Sequence, residues 1–518
     1  MTVVELRSFG EAPSVKCNHV SARSMEVFRR LGFAETVRAA GLPDDFPHDV
    51  SYRTAATGVE LTRIPIPSRN GRKSGAPGPD TSWPTPEPPH RINQIFLEPI
   101  LSDQAAADPR IRLLNRTRVI AFDQADDHVL VTAESLDSGE VIRISCDYMV
   151  GCDGGRSMVR KAIGSEFVGD AVIQRVQSTY IRAPRLLEML DAGPAWAMFT
   201  LNPQRSGNVY AIDGRENWLV HNYLRDDEPD FDSVDRDWAI RKILGVGNDF
   251  SYDVLSKEDW FGRRLVADKF RDRRVFICGD AAHLWVPYAG YGMNAGIADA
   301  ANLAWLMAAT LQGWAPERIL DAHEAERQPI TEQVSRFAMN HAHAMAKQRG
   351  AVPDNIDGQG PEAEALRKEI GSKAYELNVQ QYCCGGLNFG YFYDNSPIIC
   401  YDGVEQPAYS MGDFVSSTVP GCRAPHFWRH GGESVYDQFG PGYTLISLEE
   451  GADVSALENA ASARGVPLAV LNVEAEEAGD AYDHQFTLVR HDQHVVWRGN
   501  QLHADPERLI DTIRGASA

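Results

Sequence analysis

The stretch RRVFICGDAAHLWVPYAGYGMNAGIADAANLAWLMAATLQG, residues 273–313, decides how the chain is read. Val275 to Cys278 is a short apolar run that suits a buried strand, and it ends on Gly279 and Asp280. A carboxylate at the carboxyl end of such a strand faces the crevice where open α/β sheets take ligands. The loop PYAGYGMN then supplies Gly290 and Gly292, whose backbones can approach a flat ring closely. From Asn294 to Gln312 an alanine-packed run predicts a helix lying tight against its neighbours, its positive N-terminal end turned to that loop. An ordinary turn before a core helix does not explain why an aspartate, a proline and these glycines fall together in so short a connection.

The rest of the composition bounds the function. The chain has 518 residues, 43% of them hydrophobic and 24% charged, which is globular composition for two to four domains. A net charge of −21 excludes a nucleic-acid partner, because phosphate binding needs clustered Lys and Arg. No apolar run approaches the ~18 residues of a membrane span and no secretory segment opens the chain, so a cytoplasmic protein without a membrane partner is expected. The eight cysteines form no C-x-x-C, and the one close pair, Cys383 and Cys384, is adjacent. Reduced thiols and no metal site are the expectation. His341 and His343, two apart in HAH, are read as surface histidines.

Along the chain, SARSMEVFRRLG reads as a helix capped by Ser21, and residues 68–89, rich in Pro and Gly, read as an exposed loop. RINQIFLEPILSDQAAAD resumes helical periodicity, and residues 110–155 read as successive strands. Residues 174–255 alternate as an antiparallel sheet with one covered face, in which Tyr210 and His221 are candidates to face a substrate. Residues 351–411 look irregular. After Gly442 the order strand, helix, strand, hairpin, helix is thioredoxin-like. The expected organisation is α/β: a Rossmann-like nucleotide-binding domain over residues 1–345, interleaved with a mixed-sheet substrate domain (mainly 45–90 and 165–260). A connecting segment over 346–410 and a structural thioredoxin-like unit over 411–518 complete it, the last a candidate element for a homo-oligomer.

The GD stretch closely resembles the corresponding motif of the flavoprotein aromatic hydroxylases, the para-hydroxybenzoate hydroxylase group. A second motif of that family stands at DYMVGCDGGRSMVRKAIG, residues 147–164. NSPI and PGCRAPHFW ahead of the last unit give a layout like the phenol and 2,4-dichlorophenol monooxygenases. The resemblance implies FAD as cofactor, held by Gly279, Asp280, Pro287, Gly290, Gly292, Met293 and Asn294. It places Asp153 and Gly154 near the flavin pyrophosphate and the path of NAD(P)H, Gln94 on the flavin's linker, and Arg23 at the family's first crossover to the flavin.

The start of the chain is read through the same resemblance. In MTVVELRS a β-branched run ends on Glu5, which matches the acid that binds the adenosine ribose. That acid follows a G-x-G-x-x-G turn in the family, and no G-x-G-x-x-G occurs in this sequence. The expectation is therefore that one βα unit of roughly 25–35 residues is missing ahead of Glu5, through a misplaced start or a real truncation, and that these residues alone bind FAD weakly.

The family chemistry implied is reduction of FAD by NADH or NADPH, formation of a C4a-hydroperoxide with O2, and attack by a small phenolic substrate. In it the carbonyl of Pro287 shapes the pocket, and Asn18 and His19 lie where some phenol hydroxylases contact substrate. His19 is the candidate base, set against the alternative that it is simply a surface residue; Asn18 cannot be a base. Two other readings stand beside this one: epoxidation or Baeyer–Villiger insertion on a polyketide-like substrate, and a truncated paralogue that binds no flavin.

Overall fold

The structure is a computed structural model and describes residues 1–11, 13–286 and 290–517. Its centre is a mixed eight-stranded sheet, with strands in the order His283–Leu284, Asp253–Ala267, Phe167–Arg182, Asn217–Tyr223, Gly207–Ala211, Ala197–Thr200, Val50–Arg53 and Glu60–Ile64. All neighbours are antiparallel except Ala197–Thr200 with Val50–Arg53. Beside it lie two smaller sheets in the region where the sequence leads one to expect the nucleotide-binding domain. Thr2–Val4 pairs in parallel with Arg112–Leu114, and Val275–Ile277 lies between Met149–Gly151, parallel, and Arg271–Asp272. A three-stranded antiparallel sheet, Thr117 to Cys146, covers this region.

The apolar run Val275–Ile277 is buried throughout, as a strand covered on both faces must be. It delivers the chain to a tight 3-10 turn at Gly279–Ala281, and the alanine-rich helix Tyr291–Leu311 follows. Ser21 caps the helix Ala22–Arg30, its Oγ accepting from the Ser24 N–H at 3.2 Å.

Three expectations are corrected. Residues 361–382, read as irregular, form a 22-residue helix whose buried stripe is Ala363, Gly371, Ala374, Asn378, Gln381 and Tyr382. Small and polar residues make that stripe, so hydrophobic periodicity does not register it. Gly371 is required there, because a Cβ would stand 2.1 Å from the Leu61 carbonyl oxygen. His341 is buried, not on the surface, with its Nε2 at 2.8 Å from Gln381 Oε1 and 3.1 Å from Asn378 Oδ1 on that helix, whereas His343 is exposed. The stretch 68–89 is only partly exposed: it contains the short helix Arg69–Lys73, and Asp80, Thr85 and Glu87 are buried. Glu87 is sheltered because Arg29 and Arg38 pair with it at 3.0 and 2.6 Å.

The C-terminal unit has the strand order Leu468–Asn472, Tyr443–Ser447, Phe486–Arg490, Val495–Gly499, with helices Ser455–Ala463 and Pro506–Ile513. One apolar cluster is its own, with Ile446, Val489 and Val495 packed against Phe427, Tyr436 and Tyr482, and a second is shared with the rest of the chain. Leu445, Leu488, Val496 and Ile513 share one apolar cluster with Leu303, Trp305 and Leu306 of the alanine-rich helix. Across that junction Arg490 donates from both terminal nitrogens to Glu326 of the 30-residue helix Asp321–Gly350, at 2.6 and 2.9 Å, both side chains buried. Glu326 also accepts from Asn302 and Ser396.

A buried pair broken on one side leaves an uncompensated charge, which costs about 3–5 kcal/mol. Arg490→Ala is therefore expected to lower the urea midpoint of the whole chain in a single transition, with Arg490→Lys intermediate. A separate early transition confined to the C-terminal unit would contradict the shared core.

Candidate active site

The antiparallel contact of residues 16–20 with 90–94 builds the floor of the site. Val20 and His90 exchange backbone hydrogen bonds of 2.9 Å each, and the Gln94 N–H donates to the Cys17 carbonyl at 2.8 Å. This places Gln94 at the start of the helix Gln94–Ala107, capped by Asn93, whose Nδ2 donates to Asn18 Oδ1. Cys17 is the meeting point of the floor with the GD loop. The Met293 N–H hydrogen-bonds its sulfur, and burial, followed by the charge of Asp280, pushes its thiol up to about 12. Asp280 stands at the rim of this space, and burial raises its carboxyl above the ordinary value. Gln94, Asp280 and Met293, chosen separately from the sequence, are thus brought together.

The alanine-rich helix begins over this floor. Gly290 precedes it with φ +65, and a Cβ there would stand 2.9 Å from the His19 Cβ, so only glycine fits. Among the described residues no side chain caps the first turn; the Met293 N–H is taken by Cys17, and a Cβ on Gly292 would meet nothing within 4 Å, so the helix start is open on that side. Asn294 locks the helix to the floor. Its Oδ1 accepts from the Ser21 N–H at 2.8 Å and the Ser24 hydroxyl at 2.7 Å, and its Nδ2 donates to the carbonyls of His19 and Gly290. Pro287 lies outside the described residues.

On the far side of His19 the floor meets the eight-stranded sheet. Arg91 Nη1 contacts His19 Nδ1, and the Arg91 guanidinium lies 4.6 Å from the Trp196 ring centre and 5.9 Å from that of Tyr382. Trp196 is 5.7 Å from Tyr210, and Tyr210 is 5.4 Å from His221. Phe199 closes the group against Tyr210 and Tyr382. His19 is buried, and burial, then the charge of Arg91, hold its imidazole neutral, well below the usual range. With Nδ1 accepting from Arg91, its proton sits on Nε2. Burial alone lowers His221 to about 4.

The remaining sequence candidates lie elsewhere. Asp153 caps the helix Met158–Ala162, accepting from the N–H groups of Met158 and Val159 at 2.7 and 3.2 Å, beside Gly154 at φ +78. Glu5 accepts from the Arg7 N–H at 2.8 Å; Arg7 pairs with Glu98, which in turn accepts from Gln94. Arg23 turns away from the floor to the C-terminal unit, bonding Glu26, Gln493 and the Asp492 carbonyl.

Two residues escaped the sequence reading. Asp299, fully buried in the alanine-rich helix, accepts from the Gly279 N–H at 3.2 Å, His283 Nε2 at 2.6 Å and Arg327 Nε at 2.9 Å. Burial would raise its carboxyl, but His283 and Arg327 hold it well below the usual range. A lone acid among alanines was the signal for it. Arg91 had none, because its partners lie far along the chain. Two surface clefts, of about 620 Å³ by Arg271 and Glu317 and about 250 Å³ by Arg29 and Asp437, are rimmed by charges that already pair with one another.

The sequence profile of the FAD binding domain matches residues 1–338, and that of the aromatic-ring hydroxylase C-terminal region matches residues 417–516. Aklavinone 12-hydroxylase RdmE of Streptomyces purpurascens is 28% identical over 99% of this chain and 93% of its own. Phenol 2-monooxygenase of a Pseudomonas species is 26% identical over 97% and 87%. The rebeccamycin biosynthetic enzyme RebC, solved with reduced flavin, superposes with a TM-score of 0.90 at 33% identity, covering 100% of this chain and 94% of that one. Among the described residues no helix is long and apolar enough to cross a membrane, and all eight cysteines are free thiols.

The buried imidazole of His221 gives a pH dependence with a definite sign. It is neutral in the fold down to about 4, while in the unfolded chain it takes up its proton near 6.5. Its contribution is therefore complete above about pH 6.5 and lost as pH falls toward 4. On moving from about pH 7.5 to about pH 5, His221→Phe should lose roughly 2 kcal/mol less stability than the parent chain. Parallel losses in urea titrations at the two pH values would show that His221 is already charged.

Proposed function

The chain belongs to the FAD-dependent aromatic-ring hydroxylases, and from that premise we propose that it hydroxylates a phenolic or related aromatic substrate, consuming NAD(P)H and O2 with FAD as cofactor. The observation that carries the reading is the meeting of two surfaces. On one side Gln94, Asp280 and a helix start that is open at Gly292 meet around Cys17. On the other stands a box of aromatic rings, Trp196, Phe199, Tyr210 and Tyr382, with His19 and Arg91 between the two.

The first surface suits a flavin. The positive end of the helix, open at Gly292, would stabilise the electron-rich edge of the ring. Asp280 would accept from ribityl hydroxyls and Gln94 would contact the linker, while Gly290 and Asn294 hold the loop in place. Asp153, Gly154 and Glu5 are the candidates on the adenosine diphosphate side, whereas Arg23, engaged with the C-terminal unit, is withdrawn from the cofactor set. Bound FAD supplies reduction by the nicotinamide and activation of O2. The chain's own share is to orient the substrate ring in the box, with Asn18, Tyr210 and His221 around it, and to exclude water through apolar walls. His19, neutral and carrying its proton on Nε2, is placed to donate a hydrogen bond to an oxygen of the substrate.

Asp280→Ala removes one charge-assisted contact, worth roughly 1.5–3 kcal/mol, and is expected to weaken FAD at least about tenfold in a flavin-fluorescence titration. An unchanged affinity would remove Asp280 from the cofactor site. NAD(P)H oxidation stimulated by members of a phenol panel, with a hydroxylated product, tests the reaction; stimulation only by ketones or alkenes would point to oxygen insertion instead.

A further inference from the structure

The mechanism above leaves one strongly charged group unused. Arg91 is 2% exposed, yet it has no ion pair among the described residues. Asp80, whose charge acts on it, is taken by Arg72 and by the Trp83 N–H. Nη1 is engaged by His19, while Nη2 is buried without a hydrogen-bond partner. A guanidinium is never deprotonated in a protein, so a full positive charge sits between Trp196 and Tyr382 with one donor edge unspent. Stacking on the two rings offsets part of the desolvation but leaves those N–H groups idle.

The backbone holds this arrangement in place. Arg91 follows His90, which is fixed by two hydrogen bonds to Val20, and precedes the Asn93 cap of the next helix. Trp196 leads into the strand Ala197–Thr200, and Tyr382 ends the helix Pro361–Tyr382. The side chain therefore has rigid supports on three sides, and the guanidinium that carries the unpartnered Nη2 lies against two rings of the aromatic box.

Resting on the reading of that box as the substrate site, we propose that Arg91 Nη2 binds an anionic oxygen carried by the aromatic ligand. The ligand class is a flat arene bearing an ionised ring hydroxyl or a carboxylate. Arg91 supplies the charge and the donor, and the rings supply the stacking surface. An ionised hydroxyl held this way is stabilised as the phenolate, which lowers the pH at which it gives up its proton to water.

The test is calorimetric titration of the full chain, and of Arg91→Met and Arg91→Lys, with three probes of one shape: naphthol, which is neutral near pH 7, dinitronaphthol, ionised at its hydroxyl, and naphthoate, ionised at its carboxyl. The native chain should bind at least one anion about tenfold or more tighter than naphthol. Arg91→Met should abolish that preference, and Arg91→Lys should keep part of it. Which anion is preferred tells whether the hydroxyl or the carboxylate is the group recognised. No preference in the native chain, or a preference that survives in Arg91→Met, overturns the proposal while leaving the aromatic box standing. Failure of all three probes to bind overturns the box reading itself. Should the variants not fold, the native chain still decides: its affinity for naphthol should rise with pH as the hydroxyl ionises, and a flat profile overturns the proposal.

Discussion

The buried carboxylate of Asp299 is the constraint on which the rest of the architecture hangs. One side chain receives the Gly279 N–H from the strand-end corner, His283 from the edge strand of the eight-stranded sheet, and Arg327 from the 30-residue helix. Charge removed from water is tolerable only when its lone pairs are fully used, and here they are. The consequence is registration. The corner that presents Asp280 cannot drift relative to the sheet that carries Tyr210 and His221, because one carboxylate holds both to the same helix.

That helix, Tyr291–Leu311, works along its whole length. Its N-terminal turn faces the proposed flavin space, its middle carries Asp299 and Asn302, and its last turns bury Trp305 and Leu306 against the C-terminal unit. Small residues suit this position because they let strands and helices approach closely: a Cβ on Gly296 would stand only 3.2 Å from the Gly279 Cα. The C-terminal unit is packed onto the outer end of the same helix and pinned by Glu326 and Arg490. Its influence on the site is mechanical, through a core it shares with the nucleotide-binding side.

Membership of the hydroxylase family fixes the kind of chemistry, while the relatives differ in the molecules their names record, from phenol to aklavinone. In this chain the groups that would tell such molecules apart are concentrated on one face of the mixed sheet and at its junction with residues 16–20 and 90–94. The aromatic box and Arg91 belong to that junction, and they are contributed by segments more than a hundred residues apart.

What the sequence determined by itself was whatever depends on near neighbours. The apolar run into Gly279–Asp280, the alanine-rich helix, the Ser21 cap and the alternating order after Gly442 were legible because strand, cap and helix signals are local. The convergence of Gln94, Asp280 and Met293 was legible only through the family resemblance. Tertiary structure alone decided the helix Pro361–Tyr382, whose buried stripe of Ala, Gly, Asn and Gln carries no hydrophobic period, and the burial of His341 against it. It alone turned Arg23 toward the C-terminal unit, where Gln493 and Asp492 receive it, and set Arg91 against His19 and Trp196. A charged side chain goes where its partner is, and when that partner is a ring or an amide tens or hundreds of residues away, no local pattern records the meeting.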